Sequence, residues 1–248
     1  MKLLIITVTI FFVVEAESNH YRWRHDKVSQ SIVNDAIPVF FDWRNFNATL
    51  PPRDMGNSTK SWAFAVASAI ETGLFNYNGT LEYLSVQYLL DCAFTQNVFG
   101  LFYHTSLNGI PSEEAYPYTG EEGLCKWVSS RVFTSYSYVF GNETLLQEIV
   151  AKTGPLTVTI DGINLANYTS GIIDGATCEK NEKNYESPWS AVIIGYGSEN
   201  GTDYWIMKNS LGTTWGEEGY FRLKRGVNAC GITNGAWTSA VVGHTVDE

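Results

Sequence analysis

The chain has 248 residues, 44% of them hydrophobic and 14% aromatic, enough to bury a real core as one unit or two small domains and too apolar for disorder. A formal charge of −10 and a pI near 4.9, with no basic cluster, disfavour nucleic acid or an anionic membrane as partner. No metal or cofactor is expected.

Met1 to Ala16 reads as a secretory signal: Lys2 is the charged start, Leu3 to Val14 the apolar stretch, and Val14-Glu15-Ala16 the cleavage region. The apolar stretch is too short for a bilayer, which needs about 20 residues. Residues 17–36 form a short polar stub, and no full propeptide is expected. Residues 37–128 are expected to form a helical domain and 129–248 a sheet domain. Ser61 to Tyr77 reads as a helix, with Trp62, Ala65, Val66, Ala69, Ile70 and Leu74 on one stripe and Asn78-Gly79 at its end. Ser85 can cap a shorter helix reaching Cys92. Leu156, Val158 and Ile160 alternate with Thr157 and Thr159, Ala191–Tyr196 reads as a buried strand, and Tyr204–Lys208 and Tyr220–Lys224 as further strands. The fold class is therefore α+β, a helical domain packed against an antiparallel, barrel-like sheet domain.

Six Asn-x-Ser/Thr sequons, at Asn47, Asn57, Asn78, Asn142, Asn167 and Asn200, favour a glycoprotein of the secretory pathway, extracellular or in a lysosomal or vacuolar lumen. Four cysteines, Cys92, Cys125, Cys178 and Cys230, suggest two disulfides there, with three pairings open on sequence alone.

Several segments carry a family resemblance in order. They are Phe41-Asp42-Trp43-Arg44, Leu84 to Cys92, Glu114-Ala115-Tyr116-Pro117-Tyr118, Gly154 to Val158, Tyr204 to Gly212, Trp215-Gly216-Glu217 and Asn228 to Ile232. With Gly56 and Trp62-Ala63-Phe64 they resemble the papain family of cysteine peptidases, of cathepsin L type. That family's nucleophile run is Gln-Gly-x-Cys-Gly-Ser-Cys-Trp-Ala-Phe. Aligned on it, the nucleophilic cysteine becomes Ser61, the other cysteine Ser58 and the oxyanion-hole glutamine Met55. The resemblance implies a papain-like two-domain fold with a cleft between the domains, and the pairings Cys92–Cys125 and Cys178–Cys230. It also implies the loss of one family bridge, since Ser58 and the segment from Phe94 to Leu101 lack its two cysteines.

The implied chemistry is broken at several points. A peptidase of this type needs a thiolate, an imidazole and an Asn or Asp to orient it. The family histidine position is Ser190, within Pro188-Trp189-Ser190-Ala191-Val192, and the four histidines, His20, His25, His104 and His244, lie elsewhere in sequence. His244 is expected to be a solvated terminal residue. Lys60 next to Ser61 is expected to be a solvated charge, because adjacent helical residues point about 100° apart. Asn209 holds the orienting position and, with no imidazole, is expected to bond the backbone of its turn. Met55 offers no donor to an oxyanion. The family's shielding tryptophan becomes Leu211, and the paired glycines that bind extended substrate are absent. Trp189, Leu211 and Trp215 are the candidate binding residues; Met55, Trp189 and Leu211 could line an apolar pocket but are expected to serve more as core.

The leading expectation is a secreted, monomeric, catalytically inactive papain-fold glycoprotein that binds a protein or peptide, as a decoy for inhibitors, a competitor for substrates or a matrix component. The alternatives are a hydrolase with residual or serine-based activity, and a small-ligand binder. The turn holding Ser58 is expected to be loosened by the missing bridge. Its sequon at Asn57 is expected to be occupied and to cover the cleft rim.

Overall fold

The computed structural model describes residues 36–129, 131–160, 165, 167–176, 178 and 189–245. The signal segment, the stub apart from Ala36, His20, His25 and Pro188 lie outside the described residues.

Helix α1 (Ser61–Asn78) ends where Gly79, at φ 81°, returns its N–H to Phe75 O. It is buried on nearly every face: Ala63, Phe64 and Ala67 are as inaccessible as the expected stripe, while Trp62 at its start is only partly covered. A helix apolar all round belongs in an interior, and α1 packs on strands on one side and on helices on the other. Helix α2 (Val86–Cys92) starts at the expected cap, Ser85 Oγ accepting Tyr88 N–H. Helix α3 (Val98–Asn108) is capped by Asn97 and α4 (Glu143–Lys152) by Asn142.

The described residues form eight strands, in chain order β1 (Phe41–Asp42), β2 (Arg131–Val139), β3 (Leu156–Ile160), β4 (Ile172–Ile173), β5 (Trp189–Glu199), β6 (Thr202–Lys208), β7 (Tyr220–Lys224) and β8 (Ala236–Thr245). They form one sheet in the order β2-β8-β3-β5-β6-β7-β4, with β1 on β5. Among the described residues only β4 and β7 pair in parallel. The arrangement is the expected α+β one. Strands β5 and β6 join through Asn200-Gly201, at φ 50° and 76°, the left-handed pair a two-residue hairpin turn requires. Both faces of β3 are covered: Thr157 is fully buried and its hydroxyl lies 3.4 Å from Ala65 O of α1.

Cys92 bonds Cys125 and Cys178 bonds Cys230, the pairing the resemblance implied. No described helix is long and apolar enough to cross a membrane.

Candidate functional site

Ser61 is the first residue of α1, and Ser190 is the second residue of β5. The fold brings them together. Ser61 Oγ accepts the Ser190 backbone N–H at 3.0 Å, and the two residues are 1% and 3% exposed. Ser190 lies directly opposite Thr159 on β3, so their side chains share a face, and the hydroxyls are 3.3 Å apart. Beside them is a cavity of about 10 Å³, at the lower limit of room for one water, lined in part by Ser68, Ser190, Lys208 and Asn209. Ser68 Oγ and Asn209 Nδ2 are buried there without a partner.

Contrary to expectation, the Asn209 side chain does not bond the backbone of its turn but another side chain. Its side-chain Oδ1 accepts the indole N–H of Trp189 at 3.0 Å, while its backbone N–H reaches Gly219 O at 3.1 Å. An indole thus occupies the acceptor that would orient an imidazole. Sequence reasoning saw in Trp189 only an apolar replacement, because nothing local shows which acceptor its N–H meets.

Met55 is 4% exposed, its sulfur 3.6 Å from Ser210 Oγ and its backbone N–H on Ser210 O. The turn from Asp54 to Lys60 is closed by Gly56 N–H on Asp54, Ser58 N–H on Met55 O and Lys60 N–H on Ser58 Oγ. Local hydrogen bonds therefore hold this turn. Lys60 is not a free solvated charge. Its ammonium bridges Glu122 Oε1 at 2.6 Å and Gln96 Oε1 at 3.0 Å, away from Ser61.

The three candidate binding residues make contacts with different partners. Leu211 lies in a bridge with Asp54, and Trp215 donates to Leu165 O and packs on Tyr168 and Phe221. Two large cavities, of about 580 Å³ beside Met55–Ser58 and about 480 Å³ beside Cys178–Cys230, are lined by none of Trp189, Leu211 and Trp215. All three pack against the core.

The described histidines lie away from the serines. His104 is buried on α3 against Tyr88 and Asn108, and desolvation, reinforced by the charge of Arg131, lowers its pKa. His244 is not a loose terminal residue: it sits in β8 opposite Val132. The other end of β8 lies by Thr159, the partner of Ser190, so eight residues of strand put His244 about 26 Å away.

Lys208 is the titratable group of the small cavity. Burial lowers its pKa to about 8, and its ammonium lies 3.4 Å from Thr49 Oγ1. Between pH 8 and 10 the unfolded chain keeps this proton and the folded chain releases it, so stability rises with pH. Burial also pushes Tyr168 and Tyr220 up to about 12, so above pH 10 the unfolded tyrosines ionise first and stability falls. In denaturant titrations from pH 8 to 10 the wild type should gain about 2 kcal/mol relative to Lys208→Met, the tyrosines being common to both. An equal gain in that variant would refute the assignment.

All six sequon asparagines are exposed.

Residues 37–240 match a family model described as papain family cysteine protease. A viral cathepsin of Adoxophyes honmai nucleopolyhedrovirus is 36% identical over 221 residues, 85% of this chain and 64% of the relative. A viral cathepsin of Spodoptera litura multicapsid nucleopolyhedrovirus is 38% identical over 216 residues, 83% of this chain and 62% of the relative. The chain therefore spans less than two thirds of the length of these relatives. Among solved structures, digestive procathepsin L2 proteinase from Tenebrio molitor larval midgut aligns with a TM-score of 0.75 at 35% identity, covering 83% of this chain and 69% of that one. Bromelain protease from Ananas comosus, in complex with the E64 inhibitor, aligns with a TM-score of 0.74 at 32% identity, covering 83% of this chain and all (100%) of that one.

Proposed function

The chain belongs to the papain family of cysteine proteases, and from that premise we propose that it is a secreted, catalytically inactive member that acts by binding a protein or peptide. The observation that carries this reading is the contact of Ser61 with Ser190. At the family's nucleophile position a buried hydroxyl accepts a backbone N–H, and at its base position stands a second hydroxyl. Neither side chain can take a proton from the other near neutral pH, whereas a serine nucleophile requires an adjacent base. Met55 in place of the oxyanion donor, Leu211 in place of the shielding ring and an indole on Asn209 support the same reading.

The signal-like start, the two disulfides and six exposed sequons support passage through the secretory route and a glycoprotein product. A monomer with a protein or peptide partner, and no nucleic acid partner, completes the proposal. The helical and sheet domains, divided near residue 128, provide the folded surface. A small-ligand pocket built from Trp189, Leu211 and Trp215 is not favoured, because the three pack into separate surroundings.

The second reading is peptidase activity, residual or serine-based, which the names of the viral cathepsins favour. One experiment separates the two. The purified protein is assayed against a peptide library and treated with thiol-directed epoxide and serine-directed fluorophosphonate probes. No turnover and no labelling are expected. Labelling at Ser61, or turnover that vanishes in Ser61→Ala, would establish the hydrolase instead.

A further inference from the structure

One face of the sheet carries a run of touching aromatic rings. Tyr103 and Phe99, one turn apart on α3, lie 6.2 Å apart; Phe99 meets Trp237 of β8 at 5.5 Å; Trp237 meets Tyr138 of β2 at 4.7 Å; and Tyr138 meets Phe140 at 4.2 Å. The strip is open to solvent at both ends, Tyr103 being 51% exposed and Phe140 79%. Contiguous exposed apolar surface of this kind is uncommon on a soluble protein and marks something that covers it.

The chain itself supplies a cover at the Phe140 end. Two residues on is Asn142, in the sequon Asn142-Glu143-Thr144, and no other sequon of this chain has an aromatic residue two positions before its asparagine. Asn142, at φ −100° and ψ 173°, and Phe140 are both exposed, with only Gly141 between them. Asn142 Oδ1 caps α4 by accepting Leu145 N–H at 3.2 Å, which orients the carboxamide and leaves Nδ2, the atom that takes a glycan, without a protein partner. Glu143 behind it is anchored by Trp205, Gly226 and Asn228, so the attachment point is rigid.

We propose that Asn142 carries an N-linked glycan whose first N-acetylglucosamine stacks its C–H face on Phe140 and closes this end of the aromatic strip. The chemistry is ordinary. The ring face is electron-rich and attracts the polarised C–H groups of a pyranose. Two residues of chain span at most about 7 Å, which places only the first sugar within reach of the ring. The Phe140 end of the strip is then a glycan seat and not the surface for a protein partner. The inference rests on the secreted-glycoprotein reading.

The test is made on full-length protein secreted from a eukaryotic host, in four forms: wild type, Phe140→Ala, Thr144→Ala and the double variant. Both positions are exposed, so all four forms should fold. Site-resolved glycopeptide mapping should find Asn142 occupied. Loss of the sequon through Thr144→Ala should lower Tm by about 2–4 °C in the wild-type background and by less than half of that in the Phe140→Ala background. Trimming the glycan to one sugar with an endoglycosidase should leave Tm unchanged. Equal losses in the two backgrounds, or a fall in Tm on trimming, would overturn the stacking. A bare Asn142 beside other occupied sequons would overturn the site alone. Secreted protein with no sequon occupied would fail the glycoprotein reading, and this inference with it. Dimerisation of the glycosylated protein that Phe140→Ala abolishes would put a second copy on the strip and would also overturn it.

Discussion

Ser61→Cys alone will leave the protein without measurable peptidase activity. A thiol at the start of α1 gains something from the helix N-terminus, but it still meets only the Ser190 backbone N–H and has no imidazole to form an ion pair. In enzymes where nucleophile and base act as a unit, losing either costs of order 10⁶ in rate, so restoring one of two recovers little. Ser61→Cys with Ser190→His is the smallest change that recreates the pair. Adding Met55→Gln returns an oxyanion donor, worth about 10²–10³. A further obstacle is Trp189, whose indole holds Asn209 Oδ1. Only with Trp189→Ala can an imidazole at position 190 be oriented by Asn209. Rates on a fluorogenic dipeptide, with active-site titration by an epoxide probe, should therefore climb in that order, with the largest step at Ser190→His. KM should stay high throughout, because the sequence contains no Gly-Gly pair to bind extended substrate. High activity in Ser61→Cys alone would mean that another base reaches this atom, and the inactive reading would fall.

The second large effect concerns stability. Glu143, 8% exposed, receives the Trp205 indole N–H at 2.7 Å and the backbone N–H groups of Gly226 and Asn228 at 2.9 and 2.5 Å. It joins the start of α4 to β6 and to the loop after β7. In Glu143→Ala the two backbone groups, near the surface, can turn to water, but the indole of the fully buried Trp205 cannot. Stranding one buried donor and losing charge-assisted bonds should cost about 3 kcal/mol, or about 6–12 °C in Tm for a chain of this size. Glu148→Ala, on the exposed face of the same helix, should change stability by less than about 0.5 kcal/mol. A calorimetric Tm for Glu143→Ala within 2 °C of wild type would show that this carboxylate is not a structural anchor.

Elements with a strong local period were legible. Helix α1 and strands β3, β5, β6 and β7 lie within a few residues of their expected bounds. The register of β5 and β6 follows from Asn200-Gly201, whose left-handed backbone leaves one turn geometry. Strands β2 and β8 were not legible. Thr238, Ser239, Gly243 and His244 dilute the apolar alternation of β8, and it becomes a strand because nine residue pairs hold it to β2. Helix α4 was missed for a related reason. Its signals, an Asn cap and Glu143 in the first turn, are short, and the partners of Glu143 lie more than 60 residues away.

Some properties of the site reside in the chain as written. A hydroxyl at positions 61 and 190, a thioether at 55 and an isobutyl group at 211 cannot become a thiolate, an imidazole, an amide donor and an indole through any folding, so the inactivity we propose is a matter of covalent composition. The same holds for six sequons and four cysteines. What those atoms do in place of the family chemistry depends on contacts between distant segments. Ser61 accepts a hydrogen bond across 129 residues, Asn209 accepts the Trp189 indole across 20, and the aromatic strip assembles from α3, β2 and β8. Each of these is set by strand register and helix packing. A one-residue slip in β5 would turn Trp189 to the opposite face and leave Asn209 without its donor.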